Sequence, residues 1–278
     1  MIFLFLFLSL FQVSHQENLA SQVSAVFDLE NFTAESNINH LNLNDLIADS
    51  VLVKEINGKT LFSYNADKQK EIASLTKLMS AYIGYLIYPN DKNFIFTPEA
   101  IAQEGNVGYF YVGEKISRDD ILKAGLVASS NDAIYLLAQE YGLDKFVNLM
   151  NEKAKEWKML KTNFVDPTGL GKNISTSLDL YLMLVKIYSQ APEIFDITRL
   201  GKIIVNGKIL WTTNLLLDKY RSIIVGAKTG YKGSAGENLA LILKFNKSPF
   251  LSVIILDSKD RWQDAEKIIK ALKYYYGE

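Results

Sequence analysis

Hydrophobic and polar positions change their rhythm several times along the chain. Residues 2–13, IFLFLFLSLFQV, are almost unbroken apolar positions, the length of an export-signal core and short of the ~20 that a membrane span needs. The reading is a leader over residues 1–16, although no Lys or Arg precedes the run and no small-x-small cleavage site follows it. Residues 17–47 are polar, Asn-rich and aperiodic, which predicts a linker or an N-terminal strap.

Regular folding is expected from residue 48. SVLVKEI and KTLFSY flank Asn57-Gly58, and KIIV and KILW flank Asn206-Gly207; such pairs between short β-prone runs predict two tight hairpins. RSIIVGAKTG, ENLALILKF and FLSVIIL predict further strands, and the last is followed by a helix with the stripe Ala265, Ile268, Ile269, Leu272 and Tyr276. Residues 74–200 carry helical spacing, with Ser117-x-x-Asp120 and Thr176-x-x-Asp179 as capping boxes and Gly142 as a stop. Strands at both ends around a helical middle predict an α+β fold: an antiparallel sheet flanked by helices, an all-helical subdomain over about 90–200, and a cleft between them.

The chain has 278 residues, 49% hydrophobic and 22% charged, enough for one large core or two coupled subdomains. A net charge of -1 with no Lys/Arg-rich block argues against a nucleic-acid partner. There is no cysteine and only His15 and His40, so Cys- or His-ligated metals and Cys/His dyads lack their parts, and neither metal nor cofactor is expected. A serine triad would depend on His40, whose polar surroundings do not mark a base. Any serine nucleophile is therefore expected to use lysine.

Such a pair exists. Ser74-Leu75-Thr76-Lys77 opens a helix whose apolar positions Leu75, Leu78, Met79, Tyr82, Ile83 and Leu86 keep helical spacing up to Pro89. Residues i and i+3 are neighbours across a turn, so the Lys77 amine can reach the Ser74 hydroxyl, while the free N–H groups at the helix start favour negative charge on the serine oxygen. Lysine is a poor base at its ordinary pKa near 10.4 and needs desolvation or a nearby cation. Lys228-Thr229-Gly230, at the end of a predicted strand, supplies a candidate cation that could lower Lys77 and, with Thr229, bind a carboxylate. Ser129-Ser130-Asn131 precedes DAIYLLAQEYG; its plain reading is a helix N-cap.

Each motif alone is weak, but S-x-x-K, S-x-N and K-T-G in this order form the motif set of penicillin-binding proteins and serine β-lactamases. The chain further resembles the D-alanyl-D-alanine carboxypeptidase family of low-molecular-mass penicillin-binding proteins in NADKQKEIASLTKLMSAYI, SSNDAIYLLAQ, NFVDPTGLGKNISTSLDLYLM and GAKTGYKGSAGENLALIL, over roughly residues 48–278. The resemblance implies a β-lactamase/transpeptidase-like fold and an exported, periplasmic or wall-associated enzyme. Its partners would be peptidoglycan stem peptides and β-lactam antibiotics. Ser74 would be acylated and Lys77 would take its proton. Ser129 and Asn131 would relay protons and hold the substrate amide, and Lys228 and Thr229 would bind the terminal carboxylate. The backbone N–H groups of Ser74 and Tyr231, the residue after Gly230, would form the oxyanion hole. Two positions depart from the family pattern: Ile72, where proline is frequent, and Tyr231, where histidine is. The C-terminal β-domain and membrane-anchoring helix of many relatives have no counterpart after the last predicted helix. Among rival readings, a class A β-lactamase would need a deacylating glutamate, and no E-x-x-x-N lies between the second and third motifs. A D,D-endopeptidase would share the whole site. A catalytically idle wall-binding relative would be expected to have lost a motif residue.

Overall fold

The computed structural model describes residues 39–41, 43–105 and 107–278; the leader and most of the strap lie outside the described residues. Along the chain run β1 (Ser50–Glu55), β2 (Thr60–Tyr64), β3 (Lys70–Glu71), a 3-10 turn (Ala73–Leu75) and α1 (Thr76–Ile87), then β4 (Asn93–Ile95), β5 (Lys115–Ser117), α2 (Arg118–Val127), α3 (Asn131–Tyr141) and α4 (Leu143–Glu156). After them come β6 (Ile174–Ser175), α5 (Ser177–Gln190), β7 (Lys202–Val205), β8 (Lys208–Trp211), β9 (Ile224–Lys232), β10 (Gly236–Lys244), β11 (Phe250–Ser258) and α6 (Arg261–Tyr276), with single-turn to two-turn helices at Pro98–Ile101, Glu193–Thr198 and Leu217–Tyr220.

Both chain ends build one antiparallel sheet, ordered β2-β1-β11-β10-β9. Its strands read as nearly continuous apolar runs because both faces are covered. Leu239, Leu241 and Leu243 of β10 face one way, with Val253 and Ile255 of β11, and pack on Ala265, Ile268, Ile269 and Leu272 of α6. Ala240, Ile242, Ile254 and Leu256 face the other way, into the core shared with α1, α2, α3 and α5. That two-residue alternation sorts one sequence run between two cores. Among the described residues, the helical stretch holds only one small strand pair, β4 with β5, and β6, which pairs with β3 just before α1, while β7 and β8 form the expected hairpin just after the stretch.

The local signals act where the spacing put them. The two hairpins turn at Asn57-Gly58 and Asn206-Gly207. Ser117 Oγ accepts from Asp120 N at 3.1 Å and Thr176 Oγ1 from Asp179 N at 3.0 Å, capping α2 and α5. Helix α1 is buried from Thr76 to Gly84 and runs through the helical layer with its N-terminal end against the sheet edge β9. His40 donates its backbone N–H to Leu61 O of β2, at the edge opposite β9, so it takes no part in the cleft.

Candidate active site

The nucleophile's turn is a strained piece of backbone held on both sides. Ala73 has φ +46, a region that L residues with side chains rarely occupy, and it leads into the 3-10 turn that carries Ser74. A Cβ on Gly169 would stand 2.1 Å from Ala73 O, and one on Gly230 would stand 2.8 Å from Ile72 O and 3.2 Å from Ser74 N. Only glycine permits the loop 165–171 and strand β9 to press this close. Ile72 is buried and donates its N–H to Asn173 O at 3.1 Å, a bond that the family's proline would lack. Tyr231, by contrast, turns its side chain to solvent, 67% exposed.

Lys77 is fully buried, and its Nζ lies 2.7 Å from Ser74 Oγ and 2.7 Å from Thr168 O. Burial pushes its pKa down to about 7, partly offset by the Asp166 carboxylate. A neutral amine at 2.7 Å from a hydroxyl is placed to take its proton.

The triplet Ser129-Ser130-Asn131 divides its labour. Ser130 is the N-cap of α3, accepting from Ala133 N at 3.3 Å, so the plain reading holds for that residue. Ser129, at φ +61, is turned out of the helix start and accepts from Lys228 Nζ at 3.0 Å. Asn131 donates through Nδ2 to Glu104 O at 2.6 Å, while its buried Oδ1 has no partner among the described residues. A buried acceptor left open in this way is suited to a ligand N–H.

Lys228, in edge strand β9, is buried and also donates to Thr229 O at 2.9 Å. Its pKa is held well below the lysine range by burial, then by the charges of Lys77 and Arg261. Burial is the dominant cause for both lysines, and a charge on either disfavours a charge on the other. Thr229 Oγ1 lies 2.5 Å from Thr213 Oγ1, and Thr213 N donates to Val127 O at 3.1 Å, joining β9 to the end of α2.

Several supporting residues escaped the sequence reading. Asp166 accepts from Thr168 N, Thr168 Oγ1, Gly169 N and Gly171 N at 2.6–2.8 Å, which shapes the loop so that Thr168 O meets Lys77. Asn173 Oδ1 accepts from Val165 N and Asp166 N, and its Nδ2 donates to Thr76 Oγ1 at 2.9 Å, riveting that loop to α1. Arg261 Nη1 donates to Gly230 O at 2.7 Å and fixes β9 from behind. Asp-Pro-Thr-Gly was open to prediction, as an Asp that folds a turn onto its own side chain. Thr213 and Arg261 carried no local signal.

A serine and a buried, partly neutral lysine one helical turn apart, with a second serine–lysine pair across a cleft, define a serine hydrolase of the acyl-transfer class. The comparisons make this specific: the chain belongs to the D-alanyl-D-alanine carboxypeptidase family of peptidases, whose family model matches residues 38–259. It is 35% identical over 228 residues to a D-alanyl-D-alanine endopeptidase of Pseudomonas aeruginosa, covering 77% of this chain and 72% of that one. It is 27% identical to a D-alanyl-D-alanine carboxypeptidase of Escherichia coli, covering 79% of this chain but only 59% of that relative. Among solved structures it is similar to penicillin-binding protein D2 of Listeria monocytogenes in its ampicillin-bound form, with a TM-score of 0.75, 28% identity, and 82% and 98% of the two chains covered.

Proposed function

We propose that this chain is a serine-type D-alanyl-D-alanine carboxypeptidase acting on peptidoglycan stem peptides. The carrying observation is Lys77, buried, lowered to about 7 and 2.7 Å from Ser74 Oγ. As Ser74 Oγ attacks the carbonyl carbon of the penultimate D-alanine, its proton passes to neutral Lys77. The developing oxyanion is held by the N–H groups of Ser74 and Tyr231. Ser129 delivers its proton to the leaving nitrogen and is reprotonated at the expense of the Lys77 ammonium, and the C–N bond breaks to release D-alanine. Water then attacks the ester, returns Ser74 its hydrogen and frees the shortened peptide. Asn131 Oδ1, unpartnered, accepts from the substrate amide. Lys228 and Thr229 take the terminal carboxylate, whose negative charge restores the ammonium form of Lys228. β-Lactams acylate the same serine. Asp166 is occupied by four bonds within its own loop, so that loop offers no spare carboxylate to activate water, and this favours a slowly deacylating peptidase over a β-lactamase.

An endopeptidase that cuts crosslinks with the same residues is the second reading, favoured by the 35% identity to the Pseudomonas aeruginosa endopeptidase. Either activity fits an exported, periplasmic or wall-associated protein. The test is intact mass after brief exposure to a penicillin, beside Ser74→Ala and with the fate of the antibiotic followed. A lasting adduct on wild type alone is the expected result; rapid antibiotic hydrolysis without an adduct would instead mean a β-lactamase, and intact antibiotic an idle site. D-Alanine release from a pentapeptide, set against cleavage of a crosslinked dimer, separates the two peptidase readings.

A further inference from the structure

Strand β9 continues past the carboxylate site. Beyond Gly230 it runs through Tyr231 and Lys232 into a turn at 233–235, whose Gly233 and Ser234 are exposed. Gly230 and Lys232 stand two residues apart on one strand and so share a face. Gly230 lies against Ile72 O and Ser74 N, and Lys232 Nζ donates to Glu71 Oε2 at 3.3 Å. The same carboxylate oxygen accepts from Ser234 Oγ at 2.8 Å. The bond from Ser234 first, then that from Lys232, hold the Glu71 carboxyl below the ordinary glutamate range, so it is charged at neutral pH. Lys232 Nζ also lies 3.5 Å from Gly171 O, at the end of the loop that orients Lys77. One carboxylate–ammonium pair therefore joins β3, the end of β9 and the loop 165–171. Tyr231, whose N–H belongs to the oxyanion hole in the mechanism above, sits between the two points at which β9 touches residues 71–74.

We infer that Glu71 is a positioning residue: through Lys232 and Ser234 it fixes the end of β9, and with it the Tyr231 N–H, at the distance from the Ser74 N–H at which both donors meet one oxyanion. The inference rests on the peptidase reading above, whose chemical steps make no use of Glu71. Oxyanion donors act only at about 2.7–3.1 Å from the oxygen they stabilise. Among the described residues β9 is an edge strand paired by β10 alone, so its end needs a second support to keep that tolerance. The Glu71 main chain is held independently of its side chain: its O accepts from Asn238 Nδ2 at 3.2 Å, and β3 pairs with β6. Removing the carboxylate therefore loosens β9 without unfolding β3.

The experiment acylates the full chain with a penicillin, as wild type and as Glu71→Ala, Glu71→Gln and Lys232→Met. Stopped-flow kinetics separates the noncovalent dissociation constant from the acylation rate constant. Infrared spectroscopy reads the ester carbonyl of the acyl-enzyme, whose stretching band falls in wavenumber as the oxyanion donors tighten on it. The expected result for Glu71→Ala is an unchanged dissociation constant, an acylation rate constant about 10- to 100-fold lower, short of the loss of a whole donor, and a carbonyl band at higher wavenumber. Glu71→Gln keeps an acceptor for Ser234 and should fall between wild type and Glu71→Ala, and Lys232→Met should add little in the Glu71→Ala background. An acylation rate or carbonyl band that stays at its wild-type value in Glu71→Ala and Lys232→Met would overturn the inference, as would a loss confined to the noncovalent step. Lys232 is half-buried at the strand end, so its variant carries the test should Glu71→Ala fail to fold. A wild type that takes up no penicillin would remove the peptidase reading and this inference together, whereas an acylated wild type with indifferent variants would remove this inference alone.

Discussion

On the proposed mechanism, the burial of Lys77 couples catalysis to pH. Its amine loses a proton in the native chain at about 7 but only near the ordinary lysine value when unfolded. The rate of acylation by a penicillin should therefore rise with pH and level off above about 7.5, as stopped-flow or quenched mass spectrometry would read. The stability consequence has a definite sign. Between about 7 and 10.5 the unfolded chain binds the proton that the native chain has released, so this group's contribution to stability increases with pH across that window. Asp132 behaves oppositely. It is buried, neither oxygen has a hydrogen-bond partner among the described residues, and burial raises its pKa to about 6. The native state then holds a proton that the unfolded state has lost, and stability falls as pH rises from about 4 to 6. Asp132→Asn should accordingly stabilise the protein at pH 7 by about 2–3 kcal/mol and by little at pH 4; chemical unfolding at the two pH values compares them. At this scale the closeness of Ser74 to Lys77 was legible because i and i+3 meet across one helical turn, whereas the nearness of Asp166 and Arg261 to the two lysines was not, since it depends on distant segments folding together.

At the scale of elements, the site is a junction of four pieces: the turn into α1, the start of α3, edge strand β9 and the loop 165–171. The last of these is irregular, and its shape comes from Asp166 and Asn173 rather than from a ladder of backbone bonds. Asn173→Ala should deprive the part-buried N–H groups of Val165 and Asp166, and Thr76 Oγ1, of these bonds, costing about 2–4 kcal/mol by urea denaturation. It should also slow acylation of Ser74 by about 100-fold, because a displaced Thr168 carbonyl no longer orients the base. A loss of stability with wild-type acylation would show that the loop does not position Lys77. Hairpins and capped helices were open to prediction here because their signals are local. The loop was not, because its determinants are a carboxylate and an amide that act across several residues.

Over the whole molecule, β1 and β2 from one end of the chain and β9 to β11 from the other share a single sheet, and the helical layer is threaded between them. The apolar face of α6 closes the outer core: Leu272, fully buried, packs beneath the sheet whose edge carries Lys228 and Gly230. Leu272→Ala should cost about 2–5 kcal/mol and lower the thermal midpoint of penicillin binding together with that of unfolding, because the cleft exists only while both chain ends are docked. Separate transitions for binding and for unfolding would contradict this coupling.

What the sequence determined by itself is what short-range patterning can encode: the strands and helices, the caps at Ser117, Thr176 and Ser130, the order of the three motifs, and hence the α+β class and the serine–lysine chemistry. Apolar period and motif spacing are properties of neighbouring residues, and neighbouring residues are written together. The tertiary structure alone decided the rest. It brings Ser129 to Lys228, Thr213 to Thr229, Arg261 to Gly230 and Thr168 to Lys77, pairs that are far apart in the chain or joined only through an irregular loop. It also removes both lysines from water, and a lysine becomes a base by the company and the solvent it loses on folding.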